Sequence, residues 1–267
     1  MKRSSCFVLF TLIFLTACSN IPGIGATATS TPAPTFTPHP SETPTQISTA
    51  TPNASATAAV QATKATDDML SDLDRLLGDT NIPYRDGYLA WKYDDPVTIK
   101  MNGPESSLVE IDNRLTAGNF ILKSDVTWSA TGIIICGAIF RSEKDITTGS
   151  QYQFLFLRLS GLPAWTIEFH EFGYYKNSPT KTQYSSALLQ ENGATNEFIL
   201  VAEDEEFTLY INRVRQGRYF DNSKQRVDGA FAFLGIQDSG KGSCKYENSW
   251  IWSLDPNTNG PTAWSGN

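Results

Sequence analysis

Phe120-Ile121-Leu122-Lys123-Ser124-Asp125-Val126-Thr127-Trp128 decides the fold class. Phe120, Leu122, Val126 and Trp128 alternate with Lys123, Asp125 and Thr127, the period of two that a strand with one buried face must show. Phe207, Leu209 and Ile211 repeat it against Thr208, Tyr210 and Asn212. Working outward, further strands are expected at Tyr88–Lys92, Val97–Met101, Gly132–Arg141, Gln151–Leu159, Trp165–Phe172, Glu197–Ala202, Gln216–Phe220, Ala230–Ile236 and Lys245–Leu254. All are rich in Phe, Tyr, Ile, Val and Trp, and Gly149, Pro163, Asn192-Gly193 and Gly240 punctuate them. No long helical periodicity interrupts the series, which argues against alternating strands and helices. The expectation is an all-β domain over residues 81–255, a two-sheet antiparallel sandwich of jelly-roll type.

The amino end has another character. Lys2 and Arg3 precede an apolar run from Cys6 to Leu15, about half the roughly 20 apolar residues a membrane span requires. Leu15-Thr16-Ala17-Cys18 closes the run and resembles the lipobox of exported bacterial lipoproteins. The resemblance implies cleavage of residues 1–17 and lipidation of the Cys18 thiol. Each buried acyl methylene contributes about 0.8 kcal/mol, so two or three chains hold the protein stably to a membrane. The expected location is therefore extracytoplasmic, with the membrane as a partner through lipid alone.

Residues 18–65 are dominated by Thr, Ser, Ala and Pro, with seven of the fourteen prolines between Pro22 and Pro52. Such a segment buries too little apolar area to offset its ordering entropy and favours extended, solvated conformations. It reads as a spacer reaching at most on the order of 130 Å. Met69, Leu70, Leu73, Leu76 and Leu77 then recur at helical spacing, which predicts a short amphipathic helix within 66–80. Asp67 and Asp68 suit its start and Gly78 its end, and the Ala-rich stretch from Ala54 offers an extension backwards. Residues 256–267 read as a polar tail.

The net charge of −7 goes two units further, to −9, when Lys2 and Arg3 are lost. An acidic chain without a basic stripe lacks the phosphate-neutralising surface that nucleic-acid binding requires. After export Cys136 and Cys244 are the two remaining cysteines, and an even pair in an oxidising compartment predicts a disulfide.

Gly137-Ala138-Ile139-Phe140-Arg141, Asn196-Glu197-Phe198 and Phe207-Thr208-Leu209-Tyr210-Ile211-Asn212 resemble, in that order, the core motifs of the concanavalin A-like lectin/glucanase superfamily. The nearest groups are its laminin-G-like and 3-keto-disaccharide hydrolase-like domains. The resemblance covers about Gly118 to Leu254 and implies a sandwich that binds or cleaves glycans. Arg213 stands where the family's hairpin has glycine, and Gln153 stands near where hydrolase-like members carry glutamate.

Catalytic constellations are scarce. His170 is the one histidine of the folded domain and no Gly-x-Ser-x-Gly elbow exists, which leaves no serine triad. One histidine and two cysteines without C-x-x-C spacing do not make a zinc site. Trp165-Thr166-Ile167-Glu168-Phe169-His170-Glu171 is the most suggestive stretch, because Glu168 and His170 share a strand face. The superfamily's retaining glucanases place acids at alternate strand positions. Here His170 replaces the central acid and Glu171 falls out of register unless a bulge intervenes, whereas retaining hydrolysis needs two carboxyls about 5–5.5 Å apart. Glu168 and His170 are thus weak catalytic candidates, with a plain polar outer face as the alternative. Asp94, Asp95, Asp204 and Asp221 are hard oxygen ligands that suit calcium or turn solvation equally, and no other cofactor is expected.

Arg141, Arg158, Trp165, Glu168, His170, Tyr174, Tyr210 and Asn212 are the candidate ligand residues, with Tyr175 and Tyr219 beside them. Aromatic faces stack on sugar C–H groups and polar side chains take the hydroxyls, although the same residues also suit a packed sheet face. The reading is a membrane-anchored lipoprotein presenting a β-sandwich binding module, for glycans first. A glycoside hydrolase-like enzyme and a structural or protein-interaction module of the cell envelope are the alternatives.

Overall fold

The structure, a computed structural model, describes residues 54–255 except residue 160. The signal segment, Cys18, the linker up to residue 53 and the tail of 256–267 lie outside the described residues. In chain order the elements are a helix α1 (Ala54–Leu77), a 3-10 turn (Tyr84–Asp86) and fourteen strands. These are β1 (Tyr88–Tyr93), β2 (Val97–Asn102), β3 (Glu105–Glu110), β4 (Phe120–Ala130), β5 (Ile134–Ser142), β6 (Gln151–Leu159) and β7 (Leu162–Glu171). Then come β8 (Tyr174–Asn177), β9 (Gln183–Tyr184), β10 (Thr195–Glu203), β11 (Glu206–Ile211), β12 (Val214–Phe220), β13 (Ala230–Gln237) and β14 (Lys241–Ser253).

The strands form two antiparallel seven-stranded sheets. One runs β1-β14-β4-β10-β11-β12 with β2 also on β14; the other runs β3-β13-β5-β6-β7-β8 with β9 also on β7. Strand β4 shows why they stack. Phe120, Leu122, Val126 and Trp128 point inward and join Phe154 and Phe156 of β6, Phe198 and Leu200 of β10, and Phe231 and Phe233 of β13 in one core. Burying each such side chain contributes roughly 1.5–3 kcal/mol. The all-β two-sheet sandwich expected from the alternation is the fold the chain adopts.

Strands β3, β8 and β9 escape the sequence reading, because all three are short edge pieces with little buried apolar content. The helix also differs from the 66–80 segment: it spans Ala54–Leu77, so Asp67 and Asp68 sit in its interior and no acidic residue occupies its first turn. Among the described residues no helix is long and apolar enough to cross a membrane.

Helix α1 lies on the outer face of the β4-containing sheet. Leu73 and Leu77 pack there with Ile121, Ile199, Val201, Tyr210, Trp250 and Trp252. That sheet is thus covered on both faces, and even Lys123 is buried, with its ammonium 2.9 Å from Asp125 and 3.6 Å from Glu197.

Two devices tie the sheets together. Cys136 of β5 and Cys244 of β14 form a disulfide across the sandwich, with Cα atoms 5.7 Å apart. Beside it the Tyr246 hydroxyl of β14 accepts from the Gly137 amide at 2.8 Å and donates to the Leu234 carbonyl at 2.5 Å. Burial holds the Tyr246 phenol well above its ordinary value of 10.0. A raised acid is more protonated in the folded state than in the unfolded one. Stability is therefore full below pH 10 and declines as pH rises beyond it, by up to about 1.4 kcal/mol per pH unit for this group. Tyr246→Phe should cost about 1–3 kcal/mol at neutral pH, since it strands the Gly137 amide, and should flatten the alkaline decline. Denaturant melts between pH 8 and 12 measure both effects, and parallel curves for the two proteins would show that this phenol does not set the alkaline limit.

Candidate functional site

A polar pocket of about 430 Å³ lies at the end of the sandwich where β4 begins and β5 ends. Gly118 and Asn119 precede β4, Arg141 sits near the end of β5, and Tyr152 begins the inward face of β6. Asp204 and Glu205 form the β10–β11 turn, and Asp221, Lys224, Arg226 and Asp228 lie between β12 and β13. Asp255 closes the ring after β14.

Tyr152 and Asp221 are buried, as is Arg141, at 1% exposure. Its Nε donates to the Gly118 carbonyl at 2.9 Å and its guanidinium lies 5.4 Å from the centre of the Phe207 ring. Its Nη2 is fully buried and has no hydrogen-bond partner. Burial lowers the Arg141 pKa, a pull opposed by the surrounding groups, among them Asp255, Asp204 and Asp221. Beside it the Tyr152 hydroxyl donates to Asp221, and burial followed by that carboxylate pushes the phenol far up.

The wall is held by its own hydrogen bonds. Asp255 accepts from the Gly118 and Asn119 amides at 2.8 and 3.0 Å, and Asn119 accepts from the Asp204 amide at 2.7 Å. Lys224 pairs with Glu205 at 3.2 Å, which lowers the Glu205 carboxyl. Arg226 donates to the Arg141 carbonyl at 2.6 Å and to the Asp228 carbonyl at 3.2 Å and pairs with Glu143 at 3.3 Å, while its contact with the Asp228 carboxylate is loose at 3.9 Å. Arg141, Asp204 and Lys224 all adopt left-handed backbone conformations, with φ of 48°, 50° and 46°. Such conformations persist in non-glycine residues only where the surroundings over-determine them.

The pocket thus sets five carboxylates against three cations, interspersed. Both signs at short range suit a neutral polyhydroxyl ligand, whose hydroxyls donate to carboxylates and accept from guanidinium. An excess of negative charge disfavours a phosphate or sulfate.

The outer face of the other sheet carries Glu168 and His170, joined through Oε2 and Nε2 at 2.9 Å. Register places Gln153 opposite Glu168 and Gln151 opposite His170, and the Tyr175 ring meets His170 edge-on at 6.1 Å. β7 keeps unbroken register with β6, so Glu171 stays on the opposite face, where it pairs with Lys176 at 3.0 Å. Across β6, Glu168 therefore faces an amide rather than a second carboxyl.

The remaining candidates scatter. Trp165, expected at the surface, is 1% exposed and packs in the core against Phe154 and Tyr219, because its strand position points inward. Tyr210 points outward yet is buried in the cluster beneath α1. The Asn212 side chain is consumed locally: Oδ1 accepts from the Glu197 amide at 2.8 Å and Nδ2 donates to the Ala187 carbonyl at 2.7 Å. Its hairpin is two residues long despite Arg213, with φ of 48° and 65° at Asn212 and Arg213. Arg158 donates to the Gln190 carbonyl at 2.7 Å, and Tyr174 is exposed. Asp204 and Asp221 share the end pocket, whereas Asp94 pairs with Lys92 near Asp95 in the β1–β2 turn. Among the described residues no group of three or more His, Cys, Asp or Glu side chains is placed to hold a metal ion. Asn119, Tyr152, Arg226, Asp228 and Asp255 escape the sequence reading, since nothing local marks residues that meet only in the folded chain.

No family model and no curated protein matches the chain. Among solved structures it is similar to the carbohydrate binding module CBM66 from Bacillus subtilis, at 16% identity and a TM-score of 0.46, over 61% of this chain and 91% of that one. It is also similar to a legume lectin-like domain from Entamoeba histolytica, at 10% identity and 0.43, over 61% and 86%. A third is a beta-glucanase of Bacillus licheniformis, at 8% identity and 0.42, over 59% and 78%. What those proteins bind or cut is a property of those proteins.

Proposed function

We propose that the chain is a lipid-anchored extracytoplasmic protein whose sandwich binds a neutral glycan in the Arg141 pocket. The observation that carries the binding assignment is the Arg141 guanidinium, buried at the pocket with Nη2 lacking an acceptor. A buried donor left unpaired costs about 1–3 kcal/mol, which favours a side-chain movement that brings Nη2 to a ligand oxygen in the pocket. The Asp228 carboxylate, loosely held, accepts a ligand hydroxyl at the rim. The anchoring assignment rests on the charged start, the short apolar run and Cys18, and a disulfide between the remaining cysteines suits an oxidising exterior.

A glycan array probed with the protein, with washes at low and high salt, tests the first part. Binding to neutral saccharides that persists at high salt is expected. Capture only by sulfated or phosphorylated glycans, or by none, rejects it. Fractionation of cells expressing wild type and Cys18→Ala tests the second. Wild type should partition with membranes and the variant should not; equal partitioning rejects the anchor.

A further inference from the structure

The β7–β8 hairpin turns through Phe172 and Gly173, at φ of 54° and 77°. Two consecutive left-handed residues make the tight turn that Asn-Gly or Gly-Gly normally supplies. A phenylalanine in the first place is strained by its Cβ, and with the ring 72% exposed no core packing compensates. Tyr174 and Tyr175 follow at 77% and 58% exposure. Three large aromatic side chains within four residues thus stand in solvent at one strained tip, where a turn selected for stability alone would carry small polar residues.

The tip belongs to the same end of the sandwich as the pocket. Glu171 ends β7 one residue beyond His170, which pairs with Gln151, and the next residue of β6 is the pocket's Tyr152. Gly173 abuts the β5–β6 loop, since a Cβ built there would lie 3.5 Å from the Thr147 carbonyl oxygen. Glu143 of that loop pairs with Arg226 of the pocket wall at 3.3 Å. Pocket wall, loop and aromatic tip therefore form one continuous surface. The pocket itself is polar, with Tyr152 as its single ring, so the apolar faces of a sugar find their stacking partners at the tip.

We propose that Phe172 and Tyr174 form a second subsite, on which successive sugar rings of an extended neutral glycan stack while one sugar occupies the Arg141 pocket; Tyr175 turns to the other face of β8, where it meets His170. The inference rests on the glycan reading of that pocket and narrows its ligand to a chain rather than a free monosaccharide. Amphipathic tyrosine rings offer a flat face to sugar C–H groups and a phenol to neighbouring hydroxyls, and they lose little conformational freedom on binding.

The test is affinity electrophoresis of the full-length protein in gels containing soluble β-glucan, xylan or galactomannan, with thermal melts alongside. The variants are Phe172→Gly and Tyr174→Ala at the tip and Asp228→Asn at the pocket. Phe172→Gly should melt at or above the wild-type temperature, because it relieves the turn. It and Tyr174→Ala should each weaken retention by a retained polysaccharide about tenfold. Retention that falls for Asp228→Asn but not for the tip variants overturns the subsite and leaves the pocket reading intact. Retention that falls for the tip variants but not for Asp228→Asn rejects the pocket and with it overturns the two-site arrangement. No retention by any of the three polysaccharides overturns both. Binding of wild type, but not of the tip variants, to phosphatidylcholine vesicles in place of polysaccharide assigns the tip to lipid and overturns the glycan proposal.

Discussion

Replacing both Cys136 and Cys244 by alanine should lower the melting temperature by about 10–20 °C while leaving the far-ultraviolet spectrum that of a β protein. The bridge closes a loop across a sequence separation of 108 residues. In the chain-entropy account a closed loop of about 100 residues restricts the unfolded chain enough to contribute about 4.7 kcal/mol. For a domain of this size 1 kcal/mol corresponds to about 2–4 °C. Alanine is the informative replacement, because both sulfurs are buried among apolar side chains and serine would add the cost of stranded hydroxyls. The two positions belong to opposite sheets, so the loss should appear as easier separation of the sandwich halves rather than fraying of one edge. A double variant melting within about 3 °C of wild type would show that Tyr246 and the aromatic core already hold the sheets together.

Arg141→Met should separate stability from binding. Methionine keeps the unbranched bulk against Phe207 but removes a charge that burial disfavours. Losing the bond to the Gly118 carbonyl costs about 1–3 kcal/mol, and removing an incompletely paired buried cation returns a comparable amount. The folding free energy should therefore change by no more than about 2 kcal/mol. Affinity for the glycan identified on the array should fall by at least about 30-fold, the usual consequence of deleting one member of a desolvated, charge-assisted contact. Chemical denaturation and titration calorimetry on the same preparation give both numbers. Unchanged affinity in a folded variant would remove Arg141 from the site; collapse of the fold would assign it to architecture.

The elements legible in the sequence were those whose physics is local. Strand β4 announces itself because one face meets a core and the other carries polar side chains. The cysteine pair was legible because Cys136 and Cys244 are the two cysteines of the strand-rich segment, which leaves each thiol one partner there. Strand β3 was not, since Glu105–Glu110 lies at a sheet edge with neither face well buried. Apolar spacing marks only the part of α1 that packs, from about Ala65 onward, whereas its first turns, from Ala54, are legible only as an Ala-rich extension. Trp165 and Tyr210 mislead for a related reason: neighbours in sequence reveal polarity, whereas exposure depends on which layer lies above the strand. Arg141 was visible as a polar residue at a strand end, but its partners come from segments between Gly118 and Asp255 that only the topology brings together. Exposed Tyr174 and Tyr175 were legible as candidates, while Phe172 was hidden as the end of a strand that in fact stops at Glu171.

Arg213 holds its strained turn while reaching Asp72 of α1 at 3.1 Å and Glu197 of β10 at 3.1 Å. This contact lies at the β11–β12 end of the sheet, opposite the β10–β11 turn that borders the pocket. From there α1 runs toward Tyr84 and Trp252 near the pocket end, where Asp74 accepts from the Tyr84 hydroxyl at 2.7 Å. In mechanical terms, tension arriving along the chain from upstream enters at the far end of the sandwich. It loads the Ala65, Met69 and Leu70 contacts and then the Asp72–Arg213 clasp before it strains Leu73 and Leu77, and it reaches the pocket last. A load on the pocket and a load on the upstream chain would thus pull on the domain through different elements, with the helix contacts yielding first and the pocket spared.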